Sequence, residues 1–221
     1  GITGYADLST IMNCSTNGYI YAYGNTVRAG GILGEANSGK INNCSSIIKI
    51  NAQAVNASPL IANICTGGIS GISNLNSIFN SSSNVEIMSK SELELGAGGI
   101  SGSNNSWIVN CFSTGNITCE TTNSSSVLIN SGGISGSAKI VRNTYSNCTI
   151  NSKGLSTNST ILEGGISGTL ALDSTENNIS LNDSLIATNL NQNTKSGTWI
   201  YKIGILSNGS VGGSWSNYAT N

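Results

Sequence analysis

The sequence predicts an all-β fold, a right-handed parallel β-helix (β-solenoid) of about seven rungs that forms a single domain over residues 1–221. Three observations carry this expectation. The pentapeptide Gly-Gly-Ile-Ser-Gly stands unchanged at 67–71, 98–102, 132–136 and 164–168, with looser copies at Gly1-Ile2-Thr3-Gly4, Gly30 to Gly34 and Gly204-Ile205-Leu206-Ser207. An apolar residue recurs at fixed offsets from the motif. A second, Asn-centred signature follows it, in which small and variable residues alternate.

Counted from the Gly before the Ile, the units start at 1, 31, 68, 99, 133, 165 and 204. Variable spacing around a fixed motif is how solenoids accept loops of different length on a constant frame. The following position is Ile2, Ile32, Ile69, Ile100, Ile134, Ile166 and Ile205, and four places before the Gly stand Val27, Ile64, Leu95, Ile129, Ile161 and Ile200. These are the apolar, mostly β-branched residues of short buried strands, and they form two core ladders.

Farther along each unit comes a shared asparagine, Asn13, Asn43, Asn80, Asn110 and Asn143, with Ile20, Ile50, Ile87, Ile117 and Ile150 seven places later. Odd offsets from this Asn are small, with Cys14, Cys44, Ser81, Cys111 and Thr144 at one and Thr16, Ser46, Ser83, Ser113 and Ser146 at three. Even offsets carry larger, variable residues such as Tyr19, Lys49, Glu86, Phe112 and Tyr145. A period of two with a uniform set and a free set reads as a strand with one face inside.

The sixth unit keeps Asn177-Asn178 but lacks the Ile two places earlier, and its tail to Trp199 reads as an edge or an inserted loop. The seventh restarts at Trp215-Ser216-Asn217. Each unit thus supplies about three short strands, too few to bury themselves alone. Stacking like on like about 4.8 Å apart closes their hydrogen-bond ladders, and the crossover preference of parallel strands sets a right-handed path.

Composition narrows the function. Only 9% of residues are charged and the net charge is −1, so no field attracts nucleic acid or anionic lipid. No apolar run is long enough for a membrane-spanning helix, and direct membrane insertion is not expected. The chain opens on Gly1 without a cleavable leader, so an export signal is expected to have been removed or to lie outside this stretch.

The Gly98 to Gly102 element followed by Asn110-Cys111-Phe112-Ser113-Thr114-Gly115-Asn116-Ile117 resembles the two halves of the GLUG-motif repeats of bacterial secreted proteins, and Asn217-Tyr218-Ala219-Thr220 echoes the second half. The chain departs from that family in using Ile where the family name implies Leu, and in its irregular sixth unit. The resemblance implies export to the cell surface or the extracellular space and a structural or adhesive role in adhesin-like proteins. It contributes no catalytic residues.

Candidate sites are few. The repeated Asn residues read as an inward or bend-position ladder in which each amide bonds the rungs above and below. Cys14 and Cys44 share a register, which places their Cα atoms about 4.8 Å apart and within disulfide range. Stacked strand side chains are rarely oriented for that bond, and Ser81 and Thr144 fill the same column, so buried thiols are expected for the six cysteines. With no His and no Cys-x-x-Cys, neither metal nor cofactor is expected.

Twelve Asn-x-Ser/Thr triplets occur. Asn56, Asn116, Asn123, Asn147 and Asn158 are the candidate glycan acceptors, whereas Asn13, Asn43 and Asn80 are assigned to a buried ladder. Ten carboxylates without a histidine argue against catalysis. Glu163 is expected to share a register with Lys202 as a surface ion pair of small value.

The leading expectation is an extracellular structural or adhesive solenoid, a section of a surface stalk or a subunit stacking end to end with copies of itself. The chain begins inside a Gly-Ile motif and stops just after a rung's Asn without a cap, and open strand edges recruit further chain. The alternative is a glycan- or receptor-binding module using the outward aromatics Tyr19, Tyr21, Tyr23, Phe112 and Tyr145. A β-helix carbohydrate-active enzyme, which would need carboxylates clustered across adjacent rungs, ranks third.

Overall fold

The computed structural model describes residues 1–55, 64–122, 127–155, 159–170, 175–176, 178–180, 185–189, 198–201 and 205–206. Among these residues the secondary structure is entirely β, and the strands stack in parallel as a β-solenoid of about five complete turns. Each turn has three faces. In the second turn the first face is Leu33–Asn42, the second Ser45–Ala54 and the third Ile64–Gly67. The same three recur as Ser70–Phe79, Ser82–Ser91 and Leu95–Gly98 in the third turn, and as Ser101–Val109, Phe112–Thr121 and Leu128–Gly132 in the fourth.

Two corners are invariant. Residue pairs such as Ile69's Gly68-Ile69 join the third face to the first, and pairs such as Asn80-Ser81 join the first to the second. At the Gly-Ile corner each Ile carbonyl takes two donors from the preceding turn: Ile69 O accepts Ile32 N–H and Leu33 N–H, both at 3.0 Å, and Ile134 O accepts Ile100 N–H at 2.8 Å and Ser101 N–H at 3.0 Å. Spacing varies within the first face, which shortens from ten residues in Ser70–Phe79 to eight in Ser135–Arg142, and most widely at the third corner, between the second and third faces. That corner is two residues long at 25–26, three at 92–94 and nine at 55–63.

The interior is divided into two apolar clusters. One lies under the first face and holds Ile32, Leu33, Ile41, Ile69, Ile78, Ile100, Ile108, Ile134 and Ile166. The other lies between the second and third faces and holds Ile50, Ile64, Ile87, Leu95, Ile117, Ile129, Ile150 and Ile161. Between them runs a polar seam in which Ser46 Oγ donates to Gly68 O at 2.5 Å, and Ser83 and Ser113 donate likewise to Gly99 O and Gly133 O. The second glycine of each pair makes that approach feasible: a Cβ at Gly99 would lie 2.2 Å from Gly133 O and 2.5 Å from the Ser113 Cβ.

The ladders hold where the motifs are intact and slip where they weaken. Ile32, Ile69, Ile100, Ile134 and Ile166 are all fully buried, as expected of a shared column. In the sixth turn, however, Thr198 rather than Ile200 lies opposite Ile161, and Ile200 faces Glu163. Likewise Ile205 stands opposite Thr169, three places beyond the Ile166 column. In the sequence the Gly-Gly pair is reduced to Gly204 alone at this unit, without the paired glycines that mark the register elsewhere. The seven sequence units therefore correspond to about five complete turns, with strands of a sixth and one strand beyond it. Trp215 to Thr220, the restart of the last unit, lies outside the described residues.

Candidate functional site

The outward side of the second face carries the residues most exposed to a partner. In-register pairing lines them up in columns along the rod: Tyr19, Lys49, Glu86, Asn116 and Thr149 in one, and Tyr21, Asn51, Met88, Thr118 and Asn151 in the next. A third column runs Tyr23, Gln53, Lys90, Glu120 and Lys153. Shallow grooves of about 440 and 380 Å³ border the Tyr19 column, one floored toward Asn17 and Ile47 and the other toward Asn51 and Met88.

Tyr19, Tyr21 and Tyr23 alternate along Ser15–Gly24, and each is more than 60% exposed, so their rings form a row along one strand. Phe112 and Tyr145 stack on each other's register one turn apart, in the column that begins with Ser15. Phe112 is exposed and Tyr145 half-buried. The five aromatic candidates thus point outward, but they fall into two groups at different heights and do not converge on one site.

Charges on this face are mutually satisfied. Lys49 Nζ lies 2.5 Å from Glu86, whose hydrogen bond and charge raise the Lys49 pKa above its ordinary value. Glu120 sits between Lys90 at 3.1 Å and Lys153 at 3.8 Å, one turn below and one above. These ladders were readable in advance, since Lys49 and Glu86 both stand six places after their Asn. A partly buried pair joins Arg28 of the third face to Glu35 of the first, and the first face carries two cation–π contacts, Lys40 over Phe79 at 4.9 Å and Arg142 over Trp107 at 5.1 Å. Among the described residues no group of three His, Cys, Asp or Glu is placed to hold a metal ion.

The asparagine ladder is a corner feature on the outside. Asn13, Asn43, Asn80, Asn110 and Asn143 are all exposed, which corrects the assignment of Asn13, Asn43 and Asn80 to a buried ladder. Each has a φ between 48° and 55°, the left-handed bend that Asn tolerates better than other non-glycine residues. Their amides bond along the axis: Asn43 Nδ2 donates to Asn13 Oδ1 at 2.8 Å, Asn110 to Asn80 at 3.1 Å and Asn143 to Asn110 at 3.2 Å. Asn80 Nδ2 instead donates to the neighbouring Asn42 Oδ1 at 2.9 Å. For Asn43 and Asn80 the nitrogen that would carry a glycan is therefore occupied, although neither is buried. Asn116 and Asn147 are exposed. Asn56, Asn123 and Asn158 lie outside the described residues.

Two further expectations change. Glu163 is buried, not on the surface, and its register partner is Ile200; Lys202 lies outside the described residues. Asn178 takes the column that holds Cys, Ser or Thr in other turns, and it is buried there. Its Oδ1 accepts Thr144 N–H at 3.0 Å and the Thr144 hydroxyl at 2.8 Å, while its Nδ2 donates to Val141 O at 2.9 Å.

All six cysteines are free thiols, and all but the half-buried Cys14 are buried. Burial raises the Cys44 and Cys148 pKa values and pushes those of Cys65 and Cys111 up to about 12. Cys119 is raised as well, by burial and then by the charge of Glu163. With their thiols pushed up that far, Cys65 and Cys111 are inert as nucleophiles at neutral pH.

The arrangement defines a β-solenoid repeat protein with a uniform interior and a variable, mostly neutral exterior. Comparison with family models, with curated proteins and with solved structures finds no match to this chain.

Proposed function

We propose that the chain is a structural section of an exported surface protein of the GLUG-repeat type, serving as part of a stalk or as a unit that stacks with copies of itself. The observation that carries this reading is the frame itself: two invariant corners and parallel in-register faces repeat turn after turn, while the outward columns vary freely. A frame that repeats sets reach and spacing, whereas a catalytic site is built once. Axial amide and ion-pair ladders on the surface add stiffness along the same direction.

Protease shaving of intact source cells tests it. Peptides of this chain are expected in the supernatant before lysis, and their appearance only after lysis would sink the proposal. Electron microscopy of the purified protein then separates a stacking filament from a stalk section.

A second reading, a glycan-binding face, is favoured by the Tyr19, Tyr21 and Tyr23 row beside amide- and hydroxyl-lined grooves. Tyrosine rings offer flat apolar faces to sugar rings while their hydroxyls stay wet. A glycan array on which the chain and its Tyr21→Ala variant give equal signals would remove it.

A further inference from the structure

Of the six cysteines, only Cys14 and Cys44 occupy the same column on adjacent turns. Register is fixed on both sides of them, with Met12 opposite Asn42 and Ser15 opposite Ser45, and Ser45 N–H donates to Cys14 O at 2.9 Å. Parallel chains in that register hold their Cα atoms about 4.8 Å apart, inside the roughly 4.4–6.8 Å span of a disulfide. The residues lie in the corner just after the left-handed Asn13 and Asn43, outside the strands whose stacking disfavours the bond. Their sulfurs approach consecutive carbonyls of the first turn: Cys14 Sγ is 3.2 Å from Met12 O, and Cys44 Sγ reaches down to 3.8 Å from Ile11 O. The rest of the molecule supplies internal controls. Cys111 shares the column but stands between Ser81 and Thr144. Cys65 is in register with Arg28 and Gly96, and Cys119 with Ser89 and Ser152.

We propose that Cys14 and Cys44 form a disulfide when the protein meets a disulfide oxidant such as oxidised glutathione, stapling the first turn to the second. The half-buried Cys14 reacts first. Its thiolate attacks one glutathione sulfur, forming a mixed disulfide and releasing one glutathione thiolate. The Cys44 thiolate then attacks the Cys14 sulfur and expels the second glutathione. Two protein thiols lose two electrons and two protons to give one S–S bond, and glutathione disulfide is reduced to two glutathione thiols that carry those protons. The order follows from access, because Cys44 is only 2% exposed and burial holds its thiol protonated. The proposal rests on the stacked pair alone and stands whether or not the chain is a surface protein.

The test treats the folded full-length chain with oxidised glutathione, blocks remaining thiols with iodoacetamide after denaturation, and digests with trypsin without reductant. Cleavage at Arg28, Lys40 and Lys49 separates the two cysteines, so the expected product is residues 1–28 joined to residues 41–49. The unfolding midpoint of the oxidised protein is expected to rise by about 5–10 °C and to fall back with dithiothreitol. Cys111→Ser retains the linked peptide, while Cys14→Ser and Cys44→Ser abolish it; Ser81 in the same column shows that serine fits there. A lasting glutathione adduct on Cys14 with Cys44 still alkylated overturns the proposal. So does a link through any other cysteine, or a 1–28 to 41–49 link that forms only in urea.

Discussion

The exposed corner asparagines do two jobs that separate cleanly at the residue level. Asn110 has a φ of 55°, donates its amide N–H to Asn80 and accepts from Asn143. A residue with a Cβ and no polar side chain in this conformation costs about 1–2 kcal/mol, and each lost exposed amide bond adds about 0.5–1 kcal/mol. Asn110→Ala, which loses both bonds, is therefore expected to destabilise by about 2–4 kcal/mol in urea unfolding. Asn110→Gly removes the same bonds but accepts the left-handed bend, and should recover at least 1 kcal/mol of that loss. Equal stabilities for the two variants would show that the amide ladder alone, and not the backbone, explains the Asn. The column of Asn was legible in the sequence because its spacing is fixed. Its exposure was not, because a repeated polar residue at a corner and one in an interior ladder have the same period, and only the sign of φ distinguishes them.

At the level of elements, the three corners differ in what they tolerate. The corner at 92–94 joins the second face to the third, and the equivalent corner at 55–63 is six residues longer in the neighbouring turn. Inserting six Gly/Ser residues between Leu93 and Glu94 lengthens a three-residue connection to nine, which by loop-closure entropy costs about 1 kcal/mol. A single Gly inserted between Asn80 and Ser81 shifts the second face by one and turns the buried Ser83, Val85 and Ile87 toward solvent. Urea unfolding is expected to show the long insertion nearly neutral and the short one crippling, and comparable effects would contradict this assignment of corners. Alternation and spacing made the second face legible down to its inward serines. The first face was less so: its register shifts between Asn104 and Trp107, where buried Asn104 donates to Asn76 O at 3.2 Å and accepts Ser106 N–H at 2.8 Å to satisfy the irregular backbone. No periodicity announces a bulge, and a buried Asn that repairs one looks in sequence like any surface Asn. The candidate aromatics were legible as outward residues because parity decides that, but their division into two groups depends on which turn each occupies.

Over the whole molecule, buried thiols stand in the second, fourth and fifth turns, and this gives stability a pH dependence of known sign. The reference thiol pKa is 9.0, and burial raises that of Cys65 and Cys111 to about 12, with Cys44, Cys119 and Cys148 also raised. Between pH 9 and 12 the unfolded chain has released thiol protons that the folded chain still holds, so the unfolded state binds fewer protons and stability falls as pH rises. Below pH 9 the contribution is fully present. Each fully titrating thiol adds a slope of about 1.4 kcal/mol per pH unit, so Cys65 and Cys111 together cost about 3 kcal/mol between pH 10 and 11. In a solenoid each turn is supported by its neighbours, so loss in turns two and four is felt along most of the described rod. Urea midpoints measured at pH 8, 10 and 11 should fall steeply for the native chain and less steeply for the Cys65→Ala/Cys111→Ser double variant, referenced to its own midpoint at pH 8. Identical slopes would mean that alkaline loss arises elsewhere and that these thiols do not titrate with unfolding.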